Sequence, residues 1–173
     1  MKLPTKLSLV ASVSAVALTA SPIAGAGHTN LLLTADLDGR EEVSASANDN
    51  RIVGDPNGRG EAYVFGIDGD DFTLCYILEV DKIQLVPVGD GMMAHIHEGA
   101  RGANGPVVAA LAGPEDGNAA DCLTEGEPGK FPTGESGIVQ RILNNPEDFY
   151  INVHNPEYPG GAVRGQLENE LEH

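Results

Sequence analysis

The sequence predicts an all-β domain, a sandwich or a barrel, that contains one short helix. Short runs rich in Val, Ile, Leu and Tyr recur along the chain, and clusters of Gly, Asp, Asn and Pro separate them. This pattern is typical of about seven or eight strands joined by turns. Only one segment has the apolar spacing of an amphipathic helix, so the chain does not alternate strands with helices.

The first three predicted strands lie in the first half of the domain. Residues 31–37 are apolar and then alternate with polar residues, and 40–59 is a polar segment rich in turn-forming residues. Two β-rich runs, 61–67 and 72–80, flank a short Asp/Gly turn, which predicts a hairpin. The acidic turn lacks the other ligands of a calcium-binding loop, so the hairpin is the better interpretation.

Three short strands and a long loop are predicted after the hairpin. Residues 83–88 suggest a short strand, and the apolar runs 92–97 and 106–112 lie on either side of a glycine-rich turn. Residues 113–137 contain few apolar residues and many Gly, Pro and Glu, which predicts a long loop containing Cys122.

The single helix is predicted after Ser136, because serine commonly caps the N-terminus of a helix. Its apolar residues have helical spacing: Ile138, Val139, Ile142 and Leu143. Pro146 ends the helix. The last two strands are predicted at 149–155 and 162–167, with a tight connection between them.

Residues 1–26 are typical of a secretory signal peptide. Lys2 and Lys6 form a short positive region, the stretch 7–20 is mostly apolar, and small residues precede the expected cleavage after Ala26. The apolar stretch is shorter than the ~20 residues that a membrane-spanning helix needs. We therefore expect a secreted or periplasmic protein with no membrane span after signal removal.

The composition is strongly acidic, with 26 Asp and Glu residues against 10 Lys and Arg residues and a net charge of −16. Nucleic acids and anionic membrane surfaces are poor partners for such a chain, because both demand positive charge. The acidic residues are spread over loops, which favours solubility over attraction of a particular cationic partner.

The two cysteines, Cys75 and Cys122, both lie in the part of the chain expected to be exported. Oxidising compartments favour a disulfide between them. The bridge would close a loop of about 48 residues and stabilise the fold by about 4 kcal/mol in the chain-entropy model. Neither cysteine has activating neighbours, so a reactive thiol is the weaker interpretation.

Three histidines are the candidate functional residues. His95 and His97 are two residues apart in a predicted strand, so both side chains project from the same face. His154 lies at the end of another predicted strand. Three imidazoles suit copper or zinc, with water completing the coordination shell. The structural alternative is that the rings only hydrogen bond with nearby carbonyls, Asn152 or Glu98.

Three further residues have weaker claims to a function. His28 lies near the expected new N-terminus, where the amino group and imidazole together could chelate copper, although a flexible tail is the simpler interpretation. His173 ends the chain and is expected to be exposed. Arg164 lies in a predicted strand, and we expect it to pair with a carboxylate such as Glu98 or Glu168.

The ordered motifs resemble those of the chordin-type (CHRD) domain family. The resemblance covers about 32–167, and we place the domain at 30–170. It is carried by these motifs in this order: Leu-x-Gly-x-Glu-Glu-Val at 37–43, Gly-x-Ala at 60–62, Ala-His-Ile-His at 94–97, Gly-x-x-Gly-Pro-Val-Val at 102–108, Tyr-x-Asn-Val-His at 150–154, and Pro-Gly-Gly-x-Val-Arg-Gly-Gln-Leu at 159–167. The family usually has a proline soon after Glu-Val, whereas Ser44-Ala45-Ser46 follows here.

The resemblance implies an immunoglobulin-like β-sandwich in a secreted or surface protein, with no established reaction. A second, weaker likeness is to copper/zinc superoxide dismutases, which are exported β-sandwiches with a His-x-His strand, a later Val-His strand and one disulfide. By this likeness His95, His97 and His154 would be metal ligands. The sequence lacks the fourth histidine between the strands and the following zinc ligands, so dismutase chemistry is not expected.

Two hypotheses follow. The first is an exported, non-enzymatic binding or structural module, whose extracellular or periplasmic partner is unknown. The second is a copper- or zinc-binding protein that uses the three histidines. A third hypothesis, a calcium-dependent surface protein, is supported only by dispersed acidic residues.

Overall fold

The computed structural model describes residues 32–44 and 52–170. The predicted signal peptide (1–26), His28 and His173 lie outside the described residues. The described strands are β1 Leu32–Asp38, β2 Arg59–Ile67, β3 Asp70–Asp81, β4 Met93–Glu98, β5 Val107–Leu111, β6 Asn118–Thr124, β7 Phe149–His154, β8 Val163–Gln166 and β9 Glu168–Asn169. One α-helix, α1, spans Ile138–Asn144. None of the helices in the described part is long and apolar enough to cross a membrane.

The strands form one continuous antiparallel sheet in the order β5-β4-β7-β8-β1-β2-β3-β6, and β9 pairs with β1. Both edge strands contribute to the same core, through Leu111 of β5 and Leu123 of β6. The segment after β6 also reaches β5, where the Ala110 amide donates to the carbonyl of Lys130. The sheet therefore curls until it is nearly closed. The predicted all-β class with one helix is confirmed.

The strand β6 corrects the prediction of a long loop at 113–137. It pairs with β3 over seven residues, from Glu79↔Asn118 to Thr73↔Thr124. Of its side chains only Leu123 is buried, because β6 is an edge strand with a largely exposed surface. The strand consequently carries almost none of the apolar alternation by which a strand is recognised in sequence.

The disulfide between Cys75 and Cys122 joins β3 to β6, with an S–S distance of 2.03 Å. The two residues are direct partners in the pairing of these strands. Cys122 therefore belongs to a strand, and the bridge fastens an edge of the sheet to its neighbour.

The short strand predicted at 83–88 is wrong. No strand lies between β3 and β4, and a 3₁₀ turn occupies Val88–Asp90. Ile83 and Val86 pack against the core without joining the sheet, which explains the apolar character of this segment. Pro87 has no N–H to donate to a ladder.

The helix is where it was predicted, but the expected cap at Ser136 is wrong. Gly137 is the N-cap residue, with a φ of 82°. The Glu125 carboxylate accepts hydrogen bonds from the Gly137 and Val139 amides, at 2.8 and 2.9 Å. The Glu125 carboxylate, which directly follows β6, therefore caps the helix in place of Ser136.

Candidate metal centre

The three histidines lie on the outer face of the sheet, where β4 and β7 pair. Ala94 and Ile96 of β4 are buried in the core, so the alternate residues His95 and His97 project outward. The strand register places Met93 opposite His154, His95 opposite Asn152, and His97 opposite Tyr150. The sheet thereby brings all three histidines together, as the metal hypothesis required.

The imidazoles are close to one another. One nitrogen from each ring lies within 4.8 Å of the corresponding nitrogens of the other two. The ring centroids are 5.2 Å apart for His95 and His154, 5.6 Å for His95 and His97, and 6.1 Å for His97 and His154. Nitrogens that share one ion through bonds of ~2.0–2.1 Å lie within about 4 Å of each other. The nitrogens here are separated by up to 4.8 Å, so the rings would have to move closer together to share an ion.

The hydrogen bonds determine which nitrogens are free to bind an ion. The Nδ1 atom of His97 is 2.9 Å from the Gly105 carbonyl oxygen, and that of His154 is 3.2 Å from the Pro159 carbonyl oxygen. A carbonyl oxygen only accepts, so each Nδ1 carries the hydrogen and each Nε2 keeps its lone pair. Both Nε2 atoms are buried without a hydrogen-bond partner, and so is Nδ1 of His95.

The environment keeps the rings neutral. Burial, together with smaller contributions from the neighbouring His154 and His97, lowers the pKa of His95 to about 4. Burial is also the main cause of the lowered pKa of His97 and of His154. A neutral imidazole is the form that binds metal ions.

Tyr150 and the loop between β4 and β5 (99–106) hold His97 in place. The Tyr150 ring stacks on His97 with centroids 4.9 Å apart, and its hydroxyl accepts the Gly105 amide hydrogen at 3.2 Å. Gly105 therefore contacts both rings through its backbone. A β-carbon at this glycine would overlap the Glu98 carbonyl oxygen, so only glycine permits this path of the loop.

Arg164 fastens the same loop, which corrects the expectation that it pairs with Glu98 or Glu168. Its guanidinium donates to the carbonyls of Ala103 and Ala100, at 2.8 and 3.3 Å, and to Asn104 Oδ1, at 3.3 Å. It also lies 3.4 Å from the centroid of the Tyr150 ring. Arg164 is only 2 % exposed, and its hydrogen-bond partners all belong to the loop.

Those two carboxylates have other arginine partners. Glu98 binds Arg141, with N···O distances of 2.6 and 3.1 Å. Glu168 binds Arg101, at 2.6 Å. Both ion pairs join residues that are far apart in sequence. Sequence spacing alone therefore could not show that Glu98 pairs with Arg141, and Glu168 with Arg101, instead of with Arg164.

Glu42 is a buried residue of this face that sequence reasoning missed. It is 8 % exposed and accepts a hydrogen bond from Asn152 Nδ2 at 3.2 Å. Burial raises the pKa of its carboxyl to about 7, although Arg164 and Asn152 act in the opposite direction. In the sequence nothing distinguishes Glu42 from the adjacent Glu41, which is exposed.

Fold and site together define a disulfide-bonded, all-β domain with a half-buried histidine cluster on its outer face. A sequence model of the CHRD domain matches residues 33–167. The chain therefore belongs to the CHRD domain family, as the sequence motifs indicated. No curated protein matches the chain, and no solved structure matches it.

Proposed function

We propose that this protein is an exported, non-enzymatic CHRD-domain module that binds one copper or zinc ion through His95, His97 and His154. The observation that carries the proposal is the state of the ring nitrogens. The Nδ1 atoms of His97 and His154 are engaged by backbone carbonyls, while the Nε2 atoms are buried and without a partner.

This arrangement is the one that metal-ligating histidines adopt. Such a histidine donates one ring N–H to a carbonyl or carboxylate, which orients the ring and directs the other nitrogen to the ion. In a purely structural cluster, by contrast, we expect most buried polar atoms to have hydrogen-bond partners. Three unpartnered nitrogens in one cluster therefore favour an ion over simple packing.

The ligand type selects the class of ion. Imidazole suits copper and zinc, whereas calcium requires several oxygen ligands. The histidine cluster is the one group of at least three potential ligand residues found within the described ranges. The calcium hypothesis gains no support there. A water molecule would complete a four-coordinate shell.

Export is supported by three observations that belong to the same proposal. The segment 1–26 has the features of a signal peptide, the described domain contains a disulfide, and the CHRD family is expected in secreted or surface proteins. We further propose that the nearly closed sheet is a variant of the immunoglobulin-like or superoxide-dismutase-like sandwich. We also propose that any protein partner of the domain is extracellular or periplasmic.

Metal analysis of the protein purified from periplasm or medium tests this function. The wild type and a His95→Ala/His97→Ala variant are incubated with copper or zinc, desalted, and analysed for bound metal. His28→Ala and His173→Ala are the controls, because these are the two histidines of the sequence other than the three proposed ligands. Mass spectrometry of the same samples determines whether residues 1–26 have been removed.

We expect one equivalent of metal in the wild type and in both controls, and almost none in the double variant. A wild type that retains neither ion would refute the proposal. So would a double variant that binds as much metal as the wild type, or a His28→Ala variant that loses the metal.

A further inference from the structure

We infer that Met93 supplies a thioether ligand beside the three imidazoles, and that the site therefore takes Cu(I) in preference to Zn(II). This inference rests on the proposed metal-binding function and adds both a fourth ligand and the identity of the ion.

The position of Met93 places it at the edge of the histidine cluster. It is the first residue of β4, and it projects from the same face as His95 and His97 because Ala94 and Ile96 are buried in the core. Across the strand pair it lies directly opposite His154. Directly opposed residues of an antiparallel pair have β-carbons roughly 4.5–5.5 Å apart. Met93 thus adjoins two of the three histidines.

The exposure of Met93 shows that its side chain is not packed in the hydrophobic core. Its side chain is 45 % exposed, whereas the preceding Met92 is fully buried in the core. Methionine has three rotatable side-chain bonds and a polarisable sulfur. The Met93 thioether can therefore turn towards an ion bound at the imidazoles without disturbing the packing of the sheet.

The chemistry of this ligand set favours monovalent copper. Thioether sulfur is a soft ligand that selects Cu(I), whereas structural zinc sites use thiolate, imidazole and carboxylate. Three neutral imidazoles and a thioether carry no negative charge, so the positive charge of a bound ion would not be compensated by its ligands. A half-buried site tolerates one positive charge better than two. The Arg164 guanidinium, on the far side of Tyr150, adds further positive potential.

A pair of methionine variants tests the inference. Met93→Leu removes the sulfur and keeps the size of the side chain, and Met92→Leu is the matched control one residue away. Cu(I) affinity is measured anaerobically in ascorbate by competition with a chromophoric Cu(I) chelator, and Zn(II) affinity is measured separately. A thiol assay verifies that the Cys75–Cys122 disulfide stays intact, so that no thiolate contributes to binding.

We expect Met93→Leu to weaken Cu(I) binding by about tenfold or more, a change of about 1.4 kcal/mol, while Zn(II) affinity changes little. Met92→Leu should bind both ions like the wild type. X-ray absorption of the Cu(I)-loaded wild type should show one sulfur neighbour that is absent in Met93→Leu.

Unchanged Cu(I) affinity in Met93→Leu, or a copper shell without sulfur, would overturn this inference alone, because the histidines would still bind metal. Tighter binding of Zn(II) than of Cu(I) by the wild type would also overturn it. Failure of the wild type to bind either ion would refute the proposed function as well, so the two failures are distinguishable.

Discussion

Single side chains on the outer face of β4, β7 and β8 show how a polar cluster is accommodated beside an apolar core. Arg164, Asn152 and Glu42 are all buried, and each contacts another polar group of the same face or of the loop that covers it. Hydrogen bonds offset the cost of removing such groups from water. The exceptions on this face are the unpartnered nitrogens of the histidines and single oxygens of Glu42, Asn152 and Gln166.

The first prediction concerns Glu42 and the pH dependence of stability. The carboxyl has a pKa of about 7 in the folded protein and an ordinary value of 4.5. Between these values the folded state holds a proton that the unfolded state has lost. The contribution of Glu42 to stability is therefore fully present below pH 4.5 and is lost as the pH rises to about 7.

Glu42→Gln should remove this dependence. The difference in unfolding free energy between variant and wild type should change by roughly 3 kcal/mol from pH 4.5 to 7, in favour of the variant at the higher pH. Urea unfolding of both proteins across this pH range measures the difference in unfolding free energy. A difference that is constant with pH would contradict the prediction.

The second prediction concerns Arg164, which fastens the 99–106 loop by three hydrogen bonds. Lysine keeps the charge but not the planar group of donors that reaches these carbonyls. Arg164→Lys should lower the unfolding free energy by about 2 kcal/mol. It should also weaken metal binding, because the loop presents the Gly105 carbonyl to His97.

Arg141→Lys is the matched control for this change. Arg141 pairs with Glu98 and Glu135 at partly exposed positions, where such pairs contribute about 1 kcal/mol or less. Urea unfolding and metal titration of both variants make the comparison. Equal effects of the two substitutions would mean that the loop contacts of Arg164 have no special importance.

At the scale of secondary structure, the site depends on strand register and on one irregularity. The pairing of β4 with β7 sets the three histidines side by side, and a one-residue slip would turn their side chains to the opposite face. The pairing of β4 with β5 shifts register between Ile96 and His97. Such bulges re-aim side chains and are common beside functional sites. Here the bulge lies where the 99–106 loop begins to cover His97.

The third prediction concerns the N-terminus of α1. Glu125→Ala removes the carboxylate that accepts the Gly137 and Val139 amides, and should lower the unfolding free energy by about 1 kcal/mol. Ser136→Ala is the control, because this exposed serine does not cap the helix, and should change stability by less than about 0.5 kcal/mol. Chemical denaturation measures both. A larger loss of unfolding free energy in Ser136→Ala than in Glu125→Ala would contradict this assignment and favour Ser136 as the cap.

At the scale of the whole molecule, one core stabilises a sheet whose outer face carries the candidate site. All six residues of β7 and all four of β8 are buried, because one face packs on the core and the other lies beneath loops. Two residues far from the site in sequence, Cys75 and Cys122, fasten the edge strand β6. His154 therefore lies on one of the most enclosed strands of the sheet, and His95 and His97 lie on the neighbouring strand β4, where both are partly buried.

The fourth prediction couples metal binding to the stability of the whole domain. An ion that binds only the folded state at a concentration of 100 times its Kd stabilises it by about 2.7 kcal/mol. The Tm of the wild type should rise by roughly 5–10 °C under this condition. Differential scanning calorimetry with zinc measures the shift. The His95→Ala/His97→Ala variant should show none, and an equal shift in that variant would place the ion elsewhere.

Much of the fold could be predicted from local patterns. The hairpin of β2 and β3 and the strands β1, β4, β5, β7 and β8 have apolar periodicity or β-rich composition. The strand β6 could not be predicted, since only Leu123 of it is buried. Periodicity arises from contact with the core, so an edge strand that makes little contact leaves no such signal.

The amino-acid sequence was enough to predict the all-β class, the CHRD family, the acidic character and the position of the three histidines in strands. The three-dimensional arrangement was needed to show that His154 lies beside His95 and His97, that carbonyls engage two of the rings, and that Glu42 is buried beside Asn152. It also decided the partners of Arg164. The reason is physical: periodicity reports which face of a strand meets the core, whereas strand order, register and loop path determine which distant side chains meet.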